Sequence, residues 1–255
     1  MPAENRPVEN KMDHQVVNSI KDDHDQEHAF GLRVIFSVIF NILFYGILLF
    51  LPAGTFQWWR AWVFLGVVVI GTTATMLLVF KDNQELLNER FKSPIQKGQP
   101  LADKIVLIAL IASFMGLIIF IPRDVFQFHL LEKPNVVISS AGLIIYIAGW
   151  VITSLAFKEN AFAAPVVKHQ QERAQKVIDT GVYSVVRHPI YIGGALLIVG
   201  ISLWLESYAA ALLSAIFIAL IIVRILIEER FLKRKLSGYT DYLQRTRYRL
   251  IPHLW

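Results

Sequence analysis

The chain has 255 residues, 55% of them hydrophobic and only 18% charged, with a mean hydropathy of +0.49. Soluble domains average about 45–50% apolar and about 25% charged residues, so this excess excludes disordered, collagen-like and ordinary soluble compositions. The net charge of +5 is uneven: residues 1–29 hold three bases and seven acids, which leaves 22 bases against 13 acids, or +9, for the rest.

In chain order, residues 1–29 are polar and carry Pro2 and Pro7, with neither the basic nor the apolar region of a signal peptide. They read as a disordered tail, with room for a short surface helix near the bilayer. Its histidines, His14, His24 and His28, are too irregularly spaced for a metal site. Four charge-free apolar runs follow, at residues 34–51, 61–80, 105–121 and 136–157. About 20 apolar residues cross a ~30 Å hydrocarbon core as a helix, because each backbone N–H and C=O must be satisfied without water. A fifth run, 190–204, has only 15 residues, and a sixth, 208–227, is interrupted by Arg224 alone. The link Leu205-Glu206-Ser207 permits only a tight helical hairpin. The expected fold is an all-α integral membrane protein of about six transmembrane helices with a short helix 5–helix 6 hairpin. Residues 30–135 would hold helices 1–3 and residues 136–255 a catalytic region.

Charge in the loops orients this fold. Loop 81–104 carries five bases, loop 158–189 five and the tail 228–255 seven, whereas the intervening loops hold Arg60, then Arg123 and Lys133, then none. Rich and poor loops alternate as the positive-inside rule requires, with both termini and any site cytoplasmic. Trp58, Trp59 and Trp62 cluster at one interface, as an aromatic belt does. The basic surplus is thereby assigned to a membrane face and not to nucleic acid.

Cysteine is absent, which excludes a disulfide framework, a thiolate zinc site and a cysteine nucleophile. No phosphate loop, dinucleotide fingerprint, metal signature or nucleophile elbow occurs. Chemistry must come from the basic segments, and pairing of helices 5 and 6 brings loop 158–189 and residues 228–255 to one face. Pro189 suits the first position of helix 5, and a helix N-terminus attracts carboxylates and phosphates. Arg187 and His188 either serve that purpose or only anchor the helix at the headgroups. Arg224 and Glu228, four apart on one face, form either an internal ion pair or a cavity holding an anion and an ammonium. An ionisable group within a span is a functional hypothesis by default. No His/carboxylate pair is evident. Gly193, Gly194 and Gly200 are expected to allow close helix packing.

Over residues 140–255 the chain resembles the isoprenylcysteine carboxyl methyltransferase and phospholipid methyltransferase superfamily, in its prokaryotic branch. The resemblance rests on Gly181-Val182-Tyr183, the run Arg187-His188-Pro189-Ile190-Tyr191-Ile192-Gly193, Arg224 with Glu228-Glu229, and Tyr239 and Tyr242 before Arg247 and Pro252. It implies a membrane S-adenosyl-L-methionine-dependent methyltransferase with a cytoplasm-facing cofactor pocket and a lipophilic small-molecule or lipidated substrate, possible carboxylates included. Implied cofactor contacts are Gln170, Gln175, Lys176, Val177, Ile178, Tyr183, His188, Pro189, Ile190, Tyr191 and Glu228. Arg224 is implied as the catalytic cation for a substrate carboxylate, with Asn160 and Arg247 as further substrate contacts. Gln175 stands where prenylcysteine enzymes have His. A carboxylate acceptor needs no general base, so orientation alone suffices. A nicotinamide-dependent membrane reductase and a non-catalytic scaffold are the competing readings. Residues 83–90 are placed to cover the pocket.

Overall fold

The computed structural model describes residues 6–255 except His253, with side chains from residue 26 onward. Every regular element among the described residues is helical. Helix α1 spans Arg6–Ala53, α2 Trp59–Thr75, α3 Gln84–Arg90, α4 Leu101–Arg123, α5 Val136–Glu159, α6 Pro189–Trp204, α7 Tyr208–Lys235 and α8 Tyr239–Arg245. Wider π-helical turns, Met76–Phe80 and Asp124–Phe128, extend α2 and α4.

Five helical stretches are long and apolar enough to cross a membrane, while α6 is a shorter apolar helix. At about 1.5 Å per residue the 16 residues of α6 fall short of a ~30 Å core. All six expected apolar helices are therefore present, five of full length and the first arm of the hairpin, α6, short as expected. The polar segment differs from the expected tail: from Arg6 onward it is helix, continuous with the first span. After Pro7 it contains no proline or glycine before Gly31, so nothing interrupts propagation from the span. Residues 1–5 lie outside the described ones.

Local chemistry sets the helix starts. Asn83, Asn135 and Ser207 cap α3, α5 and α7, accepting from the N–H groups of Leu86, Ile138 and Ala210 at 3.4, 2.9 and 2.9 Å. Pro189 opens α6. Lys233, Arg234 and Lys235 close α7, where cations complement the helix dipole.

Glycine decides which helices approach most closely. Gly142 and Gly149 of α5 face Gly200 and Gly193 of α6, so a Cβ on Gly200 would lie 2.5 Å from the Tyr146 nitrogen and one on Gly149 2.8 Å from the Gly193 oxygen. Small residues two turns apart on each helix let the backbones touch. Gly194 has no such role, since its nearest neighbour is the Ile221 side chain at 3.8 Å. As a result α6 packs most intimately on α5, while α7, hairpinned to α6, packs on both α4 and α6. The apolar core between them includes Phe64, Ile118, Tyr146, Ile198 and Leu205.

Candidate functional site

All three basic segments converge at the end of the bundle where α6 begins and α7 ends. Loop 81–104 joins loop 158–189 through Glu89 with Lys168 (2.8 Å) and Glu85 with Arg173 (3.1 Å). Lys92 adds a second ion pair to Glu89. Burial would raise the Glu89 carboxyl, but the hydrogen bonds and charges of Lys168 and Lys92 outweigh it and hold the group below the usual carboxylate range. The tail meets α6 directly: the N–H groups of Arg187 and His188 donate to the carbonyls of Tyr248 and Arg249 at 2.9 and 3.0 Å.

Between these segments lies a cavity of about 320 Å³, within the range of small-molecule sites, ~300–1,000 Å³. Asn160, Gln170, Gln175, Lys176, Val177, Ile178 and Tyr183 all line it, as do His188, Pro189, Ile190, Tyr191, Arg224 and Glu228. Of the sequence-predicted residues only Arg247 stays outside, exposed on the surface. The tail guanidinium that turns inward is that of Arg249, 3.1 Å from the Glu229 carboxylate.

The pairing of these groups differs from the expected one. Arg224 does not pair with Glu228. Its Nε donates to Asp103 of α4 at 3.1 Å and its Nη2 to the Pro165 carbonyl at 2.5 Å. Asp103 is fully buried and also accepts from Gln99 at 2.6 Å and from the Val167 N–H at 3.0 Å. A buried guanidinium requires a nearby anion, and the partner lies 121 positions away in sequence. Glu228 instead accepts from the Tyr191 hydroxyl at 2.7 Å.

Glu229, given no separate role from the sequence, is the hub beside the cavity. It lies 3.0 Å from Arg187, 3.2 Å from His188 and 3.1 Å from Arg249. The expectation that no His/carboxylate pair exists is thus corrected. Successive helix positions point about 100° apart, so Glu228 reaches the cavity while Glu229 reaches the start of α6. With two guanidiniums on the same carboxylate, Glu229 chiefly neutralises and positions this corner.

The wall 158–180 is held by side-chain bonds. The Gln170 amide donates to the Phe162 carbonyl at 2.8 Å and accepts from Arg173 at 2.7 Å, and Gln175 accepts from the Gln170 N–H at 2.9 Å. These two glutamines therefore shape the wall as well as line it. Asn160 accepts from the Phe162 N–H at 2.9 Å. Burial raises the phenols of Tyr183, Tyr239 and Tyr242 above their ordinary range, so three neutral rings face the cavity. Sequence reasoning missed Arg90, Asp103 and Glu229. The signal available was the place of Arg90 at the end of 83–90, the segment expected to cover the pocket, and of Asp103 further along the same basic loop.

A zwitterionic, sulfonium-bearing nucleoside fits this donor set. Glu228 is a carboxylate for an ammonium. Arg187, whose Nε lies 3.0 Å from the Glu229 carboxylate, lines the cavity as a cation that a second carboxylate can share. The tyrosine faces suit a sulfonium, and Val177, Ile178 and Ile190 supply an apolar wall. Among the described residues no cluster suited to a metal ion occurs.

Comparison with known proteins agrees in part with the resemblance. Residues 137–238 match the family model described as phospholipid methyltransferase. No curated protein sequence matches the chain. Among solved structures, the eukaryotic intramembrane Ras methyltransferase, an isoprenylcysteine carboxyl methyltransferase, is similar at 19% identity and a TM-score of 0.47, over 94% of this chain and 86% of that one.

Proposed function

We infer from the family match over residues 137–238 that the chain is an integral-membrane methyltransferase acting on a lipophilic substrate. We propose further that S-adenosyl-L-methionine is its cofactor and that the cavity at the α6–α7 corner receives it from the cytoplasm. The matched segment begins beside the expected boundary at 136, which supports residues 136–255 as the catalytic region. The observation that carries the reading is one cavity lined by Glu228, Arg187, the start of α6 and three neutral tyrosines.

In this reading Glu228, oriented by the Tyr191 hydroxyl at 2.7 Å, holds the ammonium. Arg187 and the start of α6, steadied by Glu229 and the tail, receive the carboxylate. Val177, Ile178 and Ile190 cover the nucleoside, with Lys176 at the rim. When bound, the cofactor supplies a methyl carbon activated by its cationic sulfur. The protein orients the partners and excludes water, and orientation alone can supply ~7–11 kcal/mol of a barrier. Arg224, joined to Asp103, keeps a neutral ion pair behind this chemistry, and Asn160 stands at the substrate side.

Equilibrium binding of labelled S-adenosyl-L-methionine to protein purified in detergent tests the cofactor. Saturable binding is expected, weakened by about tenfold to a hundredfold in Glu228→Ala, as loss of a charge-assisted hydrogen bond implies. Absence of saturable binding in the wild type would overturn the reading. Lipid extracts compared with and without the active protein would identify the acceptor by the mass gain of one methylene group.

A further inference from the structure

The charges that line the polar cavity do not balance. Apart from His188, its described lining residues include five cations, Arg90, Lys168, Lys176, Arg187 and Arg224, and one carboxylate, Glu228. A sulfonium nucleoside with its ammonium and carboxylate intact carries one positive charge overall, so these lining charges alone oppose it. Three carboxylates behind the wall correct the imbalance. Asp103 pairs with Arg224, Glu229 with Arg187 and Glu89 with Lys168.

Asp103 differs from the other two. Glu229 is shared by Arg187, His188 and Arg249, and Glu89 by Lys168 and Lys92. Among the described residues Asp103 has one ionic partner, Arg224 at 3.1 Å, and its side chain is fully buried. Charges removed from water are screened least by solvent and salt, so this carboxylate acts on the cavity more strongly than an exposed one. It is also rigidly placed. In the first turn of α4 it accepts from Gln99 at 2.6 Å and from the Val167 N–H at 3.0 Å. Val167 lines the cavity, as does Pro165, whose carbonyl accepts from Arg224. One carboxylate thus ties α4, the loop wall and α7 together while cancelling the charge of Arg224.

We propose that Asp103 lets the cavity distinguish the cationic cofactor from its uncharged product: it cancels Arg224, and without it the uncompensated guanidinium repels the sulfonium. This rests on the methyltransferase reading. Transfer breaks the bond between sulfur and the methyl carbon, and its electron pair stays on sulfur, which becomes a neutral thioether. The methyl carbon forms its new bond to an electron pair of the acceptor. The two cofactor forms therefore differ by one unit of charge, and the balance at Arg224 acts on that difference. The role falls to a residue outside the family match over 137–238.

The test is equilibrium binding of S-adenosyl-L-methionine and of S-adenosyl-L-homocysteine to the detergent-purified full chain, read as the ratio of the two affinities. Asp103→Asn keeps the side-chain shape and removes the charge. It is expected to shift the ratio about tenfold against the sulfonium form, the scale of a unit charge acting across roughly 10 Å of protein. A merely structural role would weaken both ligands alike and leave the ratio unmoved. Arg224→Gln leaves the carboxylate unpaired and should shift the ratio the other way, so it carries the test should Asp103→Asn not fold. Combining the two substitutions removes both charges and should return the ratio to the wild-type value. A wild-type ratio in either single variant that folds would overturn the proposal, as would a double variant that keeps the shift of Asp103→Asn. Absence of saturable S-adenosyl-L-methionine binding in the wild type would instead strike the methyltransferase reading.

Discussion

The two ends of the helix bundle treat charge in opposite ways. At the end away from the cavity, Arg60 is sandwiched between Trp59 and Trp204 at 4.7 and 4.8 Å and bonded to Glu206 at 3.0 Å. Asp124 accepts from Ser207 at 2.6 Å and from the Leu130 N–H at 3.0 Å. The polar groups there close the α6–α7 turn, where Glu206 takes a left-handed backbone with φ of 67°, and they form a staple. At the cavity end the same kinds of residue line the cavity, and among the described residues Glu228 and Arg90 line it without an ionic partner. Charged residues at a membrane boundary are therefore not diagnostic in themselves. What separates a staple from a site is whether the pairing is complete.

Three measurements would break or sharpen this contrast. The largest effect is expected for Glu229→Gln, which removes the anion shared by Arg187, His188 and Arg249. Breaking a buried ion pair from one side costs about 3–5 kcal/mol, so thermal unfolding in detergent should show a loss of that order together with weakened cofactor binding. Next, Arg60→Met removes the far-end staple and should cost about 2 kcal/mol through lost charge and ring contacts, with cofactor affinity unchanged. Equal damage to binding by both variants would erase the distinction between the ends.

The smallest effect concerns pH. The folded-state value of Glu89 lies below its ordinary 4.5. Its contribution to stability is therefore complete above that ordinary value and is lost as pH falls through the lower folded one. Protection of the α3 amides, measured as exchange relative to its intrinsic rate at each pH, should be full above the ordinary carboxylate value of 4.5 and fall as pH drops below it, before the spans themselves respond. Protection that does not change with pH in this range would show that the ion pairs to Lys168 and Lys92 do not hold the loop.

Much of the candidate site was legible before the structure. The run from Arg187 to Gly193 and the pair Arg224 and Glu228 are chemically conspicuous against an apolar background, and all but Arg247 of the chosen residues line the cavity. Arg247 stays outside because alternate residues of an irregular tail differ in which way they turn, and Arg249 turns inward. The pairing of Arg224 was open because helical spacing offers Glu228 as a neighbour, whereas the guanidinium found Asp103 on another helix.

By itself, the sequence determined the helical class, the span positions and the single face on which the basic segments gather. These follow from local rules: hydrocarbon forbids unsatisfied backbone, and bases stay on one side. Which carboxylate neutralises which cation was decided only by tertiary structure, because burial demands a counter-charge without specifying where in the chain it lies. The same holds for the closest helix pair. Glycines in α5 and α6 were visible separately, but their facing each other depends on how the two helices rotate and dock. The guanidiniums of Arg187 and Arg224 beside the cavity are accordingly neutralised by residues remote in sequence.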